Sequence, residues 1–178
     1  MMKKISFSIL LGVVLVLSAF TIYNSIDWKI KDEFSIKFKC KEVKGEFKNF
    51  TGNISFDEND LENSKFSTSI EVSSAETGSG IKDKHTKGDK WLNAKKFPKI
   101  TFNSSKFSKT ANGYQVKGTL ELHGVKKQIT IPFTFSSNTF KGNFTVNRMD
   151  YGIGTMDGVA NLVPNEVKIE FSVPVTKK

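Results

Sequence analysis

Only one of the 178 residues is a cysteine, Cys40, so no disulfide can form within the chain and the fold must hold through packing alone. Histidine is almost as scarce, with two residues. A metal site needs several His, Cys or carboxylate ligands around one ion, and apart from Asp83 near His85 neither His85 nor His123 has such a neighbour in sequence. No G-x-S-x-G elbow is present to expose a nucleophile, and the GSG of Gly78–Gly80 lacks the following G-K of a phosphate loop. Each histidine therefore reads as a capping or turn residue. Enzymatic chemistry, a metal and a cofactor have no motif to rest on.

Arginine is scarcer still. Of 27 basic side chains only Arg148 is not a lysine. Lysine is a point charge and arginine a planar fork of donors, so the exception marks a position where the fork matters. Within FTVNRMDYGIG, Asp150 stands two residues further on and shares a face with Arg148 if the strand continues. Two readings follow. One is an Arg148–Asp150 pair that closes one end of the molecule, and the other is a site for the polar head of a ligand. The first is favoured because charge at the end of an apolar interior is costly unless matched.

Long apolar runs are confined to the amino terminus. Lys3 and Lys4 precede a mostly apolar stretch from Ile5 to Phe20, the outline of a secretory signal over residues 1–25, cleaved or retained as an anchor. No cysteine follows it closely, as a lipid-modified terminus would require. Residues 26–178 remain as one domain, long enough to bury a core without staples. The net charge is +9, but lysines such as Lys37, Lys39 and Lys41 alternate with apolar residues and lie opposite the aromatic face. That pattern excludes a nucleic-acid site, which interleaves basic and stacking side chains on one surface. It is compatible with attraction to a membrane surface of anionic headgroups.

What the sequence has in abundance is period two. Phe34, Ile36, Phe38 and Cys40 share one parity. Val43, Gly45 and Phe47 share a second, and Phe50, Gly52, Ile54 and Phe56 resume it after a slip at Lys48 and Asn49, as a bulge would. Further strands run through Phe66–Val72, Ile100–Phe102, Tyr114–Leu122, Ile129–Phe135, Phe140–Val146 and Val167–Val175, the fourth and fifth joined at Asn112-Gly113. Eight amphipathic antiparallel strands, with glycines at inward positions 45, 52, 118 and 142, predict an all-β, closed eight-stranded barrel. A barrel of that size either fills its interior or holds one slender ligand. The stretch ETGSGIKDKHTKGDKWLNAKKFPKI is the one short helical insertion, with Asp83 as its cap, Pro98 beyond its end, and Ile81, His85, Gly88 and Leu92 near one face.

Several separated segments carry a family likeness. WKIKDEFSIKFKCKEVKGEFKNFTG, DKHTKGDKWLNAKKFPKITF, GTLELHGVKKQITI and VNRMDYGIG resemble, in order, segments of the YceI-like family of bacterial periplasmic proteins. The resemblance spans about Asp27 to Val175. It implies a lipocalin-like barrel whose apolar pore holds a polyisoprenoid or similar long-chain lipid, an isoprenoid quinone being one variant, in the periplasm. Two departures bear on the pore: Trp91 is followed by Leu92 where a second aromatic is common, and Cys40 stands where a polar residue is common. The expected ligand-binding residues are Phe38, Phe102, Phe133, Phe144 and Phe171 in the wall, with His85 and Trp91, or Arg148, at a mouth. A homodimer is compatible with the sequence. The alternatives are a filled barrel acting as an envelope interaction module and an enzyme acting on a lipid.

Overall fold

The computed structural model describes residues 26–41, 43–155 and 163–178; the expected export segment, residues 1–25, lies outside the described residues. Among these, eleven strands form one sheet: β1 (Asp27–Ile30), β2 (Ser35–Cys40), β3 (Val43–Phe47), β4 (Phe50–Ser55), β5 (Lys65–Glu71), β6 (Ala75–Glu76), β7 (Lys99–Thr110), β8 (Gly113–Leu122), β9 (Val125–Ser136), β10 (Thr139–Asn147) and β11 (Glu166–Lys177). The helix is α1 (Gly80–Lys87), and 3₁₀ turns occupy Val72–Ser74 and Arg148–Tyr151.

Neighbouring strands pair antiparallel, and β11 returns to β1 with Trp28 opposite Lys177 and Ile30 opposite Val175. That pairing closes the barrel. The segments β1–β2, β3–β4 and β5–β6 are three interrupted strands, so the wall consists of the eight antiparallel strands that the alternation predicts. The break between β3 and β4 falls at Lys48 and Asn49, where the apolar parity slips. Their amides turn aside to Ser74, Lys48 to its carbonyl and Asn49 to its hydroxyl. β1 has too few residues to show a period, yet it buries Trp28, whose Nε1 donates to the Phe56 carbonyl at 2.9 Å.

Tight turns set the register. His123 (φ 53°) with Gly124 (φ 77°), and Ser137 (φ 48°) with Asn138 (φ 54°), have the paired positive φ of two-residue hairpins, whose twist matches that of the strands they join. Between β7 and β8 the turn residues are Ala111 and Asn112, one position earlier than the Asn-Gly pattern predicts, and Gly113 already pairs with Thr110.

The two barrel ends differ. At the end bounded by the 56–64 loop, Phe56 is fully buried and six rings, those of Phe66, Phe107, Tyr114, Phe133, Phe135 and Phe140, surround it at 5.3 to 6.2 Å. The mostly edge-to-face geometry is that of a packed aromatic floor. At the other end the wall loosens. β9 pairs with β10 only between Phe133–Ser136 and Thr139–Gly142, and β6 pairs with β3 alone. The 148–155 segment lies at the first of these seams, and α1 and the chain that follows it lie at the second.

The helix differs from its sequence reading in two respects. Ser79 is the N-cap, and Asp83, a full turn in, accepts hydrogen bonds from the Thr77 amide and hydroxyl at 2.7 and 2.6 Å. The helix stops at Lys87 because Gly88 is extended, so the expected face running to Leu92 does not continue, and Ile81 stands 73% exposed.

Candidate functional site

Above the aromatic floor the barrel is hollow. A lower void of about 130 Å³ lies among residues that include Phe66, Phe102, Ile131 and Phe171. An upper void of about 300 Å³ extends from Phe38 and Cys40 to Lys82, His85 and Thr86 of α1. Ile36, Ile70, Ile100, Leu120, Phe144 and Ile169 line both, so the two voids are successive stretches of one lumen with an apolar waist. The polar side chains Lys82, His85, Thr86 and Arg148 gather at the α1 end, and His85 is exposed at the rim.

Glycine keeps this lumen from filling. Phe38 faces Gly45 across β2 and β3, and Phe171 faces Gly142 across β11 and β10. Phe102 lies diagonally over Gly118. A Cβ on any of these glycines would lie 2.6 Å from the ring's Cζ. Each ring therefore rests on bare backbone of the neighbouring strand instead of standing into the lumen. Three of the five expected wall phenylalanines are held in this way. Phe144 lies at the waist, and Phe133 belongs both to the lower void and to the aromatic floor. Trp91, His85 and Arg148 line the upper void, so the structure brings all eight expected residues to one lumen. The waist isoleucines and Leu120 share the parity of those phenylalanines and could have been found by the same alternation. Trp28, in the short β1, has no comparable signal.

Arg148 is 2% exposed, but it does not pair with Asp150. β10 ends at Asn147, whose side chain accepts from the Met149 amide, and the 3₁₀ turn that follows breaks the strand parity. Asp150 is exposed and lies 3.4 Å from Lys127 Nζ. The Arg148 fork instead donates to four backbone carbonyls: Pro164 at 3.1 Å, Val163 at 2.9 Å, Ile153 at 2.8 Å and Gly154 at 3.3 Å. Its guanidinium also sits 5.7 Å from the centre of the Trp91 ring. A lysine could not span these acceptors, which accounts for the lone arginine.

Beside it, the Cys40 thiol approaches the Pro164 carbonyl at 3.4 Å. Burial pushes the thiol above its ordinary pKa, and the nearby Arg148 opposes the shift. His123 lies outside both voids. Its Nδ1 donates to the Tyr151 carbonyl at 3.0 Å and its ring packs 4.4 Å from Phe97, as suits a turn residue. Among the described residues no three His, Cys, Asp or Glu side chains converge on a point where an ion could sit.

The model of the YceI-like domain matches residues 25–175. The chain belongs to the YceI-like family. A UPF0312 protein of Yersinia pestis is 32% identical over 184 residues, which cover 92% of this chain and 94% of that protein. The crystal structure of Burkholderia cenocepacia BcnA superposes with a TM-score of 0.77 at 26% identity, covering 83% of this chain and 99% of BcnA. A polyisoprenoid binding domain from Saccharophagus degradans has the same fold, with a TM-score of 0.61 at 15% identity over 86% of this chain and 99% of that one. Within the YceI-like frame both departures seen in the sequence fall on the upper void: Leu92 and Cys40 line it, next to Trp91 and Arg148.

Proposed function

We propose that this YceI-like barrel binds and carries a polyisoprenoid or similar long-chain amphiphile in the periplasm, without chemical turnover. The observation that carries the reading is the lumen itself: two apolar voids in line, floored by aromatic rings at one end and rimmed by polar groups at the other. A prenyl tail entering from the α1 end would replace unfilled space with contacts and gain about 25 cal/mol for each square ångström of apolar surface withdrawn from water. Its head would remain at the rim, beside Lys82, His85 and Trp91. Arg148 shapes that rim mainly as a clamp, since much of its donor fork is directed at backbone carbonyls. An isoprenoid quinone satisfies the same pattern. The binding named for the Saccharophagus degradans domain is consistent with this reading, although at that identity the likeness speaks for the fold alone.

The test is mass spectrometry of the organic extract of protein purified without detergent from a bacterial periplasm. We expect a stoichiometric long-chain lipid that disappears in Phe144→Gln at the waist, with the variant's circular dichroism unchanged. An empty extract, together with no uptake of offered prenols or quinones, would overturn the reading.

A further inference from the structure

The described residues contain two exposed large hydrophobic side chains, Ile81 at 73% and Met149 at 43%. Both belong to the same end of the barrel. Ile81 on α1 adjoins Lys82, and Met149 adjoins Arg148, and Lys82 and Arg148 both line the upper void. Apolar side chains left in water singly need no explanation, but these two flank the mouth of an apolar lumen.

Charge is distributed in the same sense. On the outer wall near this end, Lys168 of β11 stands opposite Lys39 of β2, which stands opposite Lys44 of β3. All three are exposed, and none has an acidic partner within salt-bridge distance among the described residues. Like charges directly opposite in a sheet disfavour the pairing, so the row favours an anion placed against it, with Glu46 and Glu170 two residues away on the same outer face. α1 adds Lys82 and Lys84. Of the acids at this end, Asp83 is engaged by Thr77, Glu121 by Lys126 and Asp150 by Lys127, while Glu76 and Glu166 stand nearer the lysine row. At the floor end the 56–64 loop carries Asp57, Glu58, Asp60 and Glu62 and no lysine, so the lysines there, among them Lys65, Lys109 and Lys177, are offset by acids.

We propose that the α1 end of the barrel is a docking surface for an anionic phospholipid bilayer, with the lysines facing the headgroups and Ile81 and Met149 dipping into the interface. The basic character of this end would turn the mouth, and not the floor with its mixed charge, toward the membrane. Basic groups combined with exposed apolar ones on a short helix fit a lipid interface. They do not fit a nucleic acid, for which the face would need exposed stacking rings. The docking does not depend on what occupies the lumen. It would place the opening against the phase in which long-chain lipids reside.

The experiment uses the full chain, so that any contribution of residues 1–25 is common to every variant. Ile81→Trp supplies a local reporter, mixed with vesicles of phosphatidylcholine alone or with about one third phosphatidylglycerol. We expect a blue shift of the added fluorescence, and its quenching by bromine-labelled acyl chains, on the anionic vesicles only. The response should weaken as salt shortens the screening length. Combined K39E, K44E and K168E should reduce it by about tenfold or more, whereas K109E at the floor end should leave it unchanged. Three results would each overturn the proposal: a reporter at position 81 that stays unshifted while the protein sediments with vesicles, equal responses on neutral and anionic vesicles, or an equal loss from the floor variant. None of these bears on lipid recovered from the lumen, so docking and carriage can fail separately.

Discussion

Arg148 shows how much one side chain can organise. Four carbonyls from two segments, 153–154 and 163–164, converge on its fork, and both segments border the upper void through Ile153 and Val163. Arg148→Lys keeps the charge but cannot reach all of these acceptors at once. Since a hydrogen bond to a charged group contributes about 1.5–3 kcal/mol, we expect a loss on the order of 3 kcal/mol, read from the midpoint of urea unfolding. The choice of arginine was legible in the sequence as a compositional exception. The four carbonyls were not, because they belong to the backbone of the following loops, and no side-chain pattern announces a carbonyl. Asp150, the sequence-adjacent candidate, was the wrong partner because a single 3₁₀ turn rotates it into solvent.

At the level of elements, α1 is held less by its own faces than by one carboxylate. It buries no side chain fully, and Asp83 ties it back to Thr77. The side-chain and backbone hydrogen bonds from Thr77 hold the Asp83 carboxyl below its ordinary pKa. A carboxylate depressed in the folded state contributes stability above its unfolded pKa and loses it as pH falls through the folded value. The tether should therefore hold at neutral pH and release in acid. Hydrogen exchange is expected to show α1 amides losing protection as pH drops below the carboxylate range, after correction for the intrinsic exchange rate. In Asp83→Asn that acid-dependent loss should vanish. Sequence located the helix but misassigned its cap, because a carboxylate in the first turn and one at the N-cap give nearly the same local pattern.

For the molecule as a whole, the aromatic floor sets the depth of the lumen. Phe56 is the hub of the aromatic cluster and lies below the lower void. Phe56→Ala should cost about 3–5 kcal/mol of stability, the usual penalty for emptying a buried aromatic site. In a variant that stays folded it should also deepen the lumen. Competition among farnesol, geranylgeraniol and solanesol would then shift toward the longer chain relative to the parent protein. An unchanged preference would mean that the lower void, and not the floor, stops the tail.

The sequence by itself determined the alternation of its strands, and with it the inward set of phenylalanines and the parity slip at Lys48 and Asn49. Those follow from a period of two and a sheet with one dry face, both local properties of the chain. Closure through β1 was decided only in the tertiary structure, because four residues carry no readable period and their place depends on β11 at the far end of the chain. The hollow interior was decided there too. Whether an inward phenylalanine plugs or lines a barrel depends on what stands across from it, and Phe38, Phe102 and Phe171 line this one because each meets a glycine on a neighbouring strand.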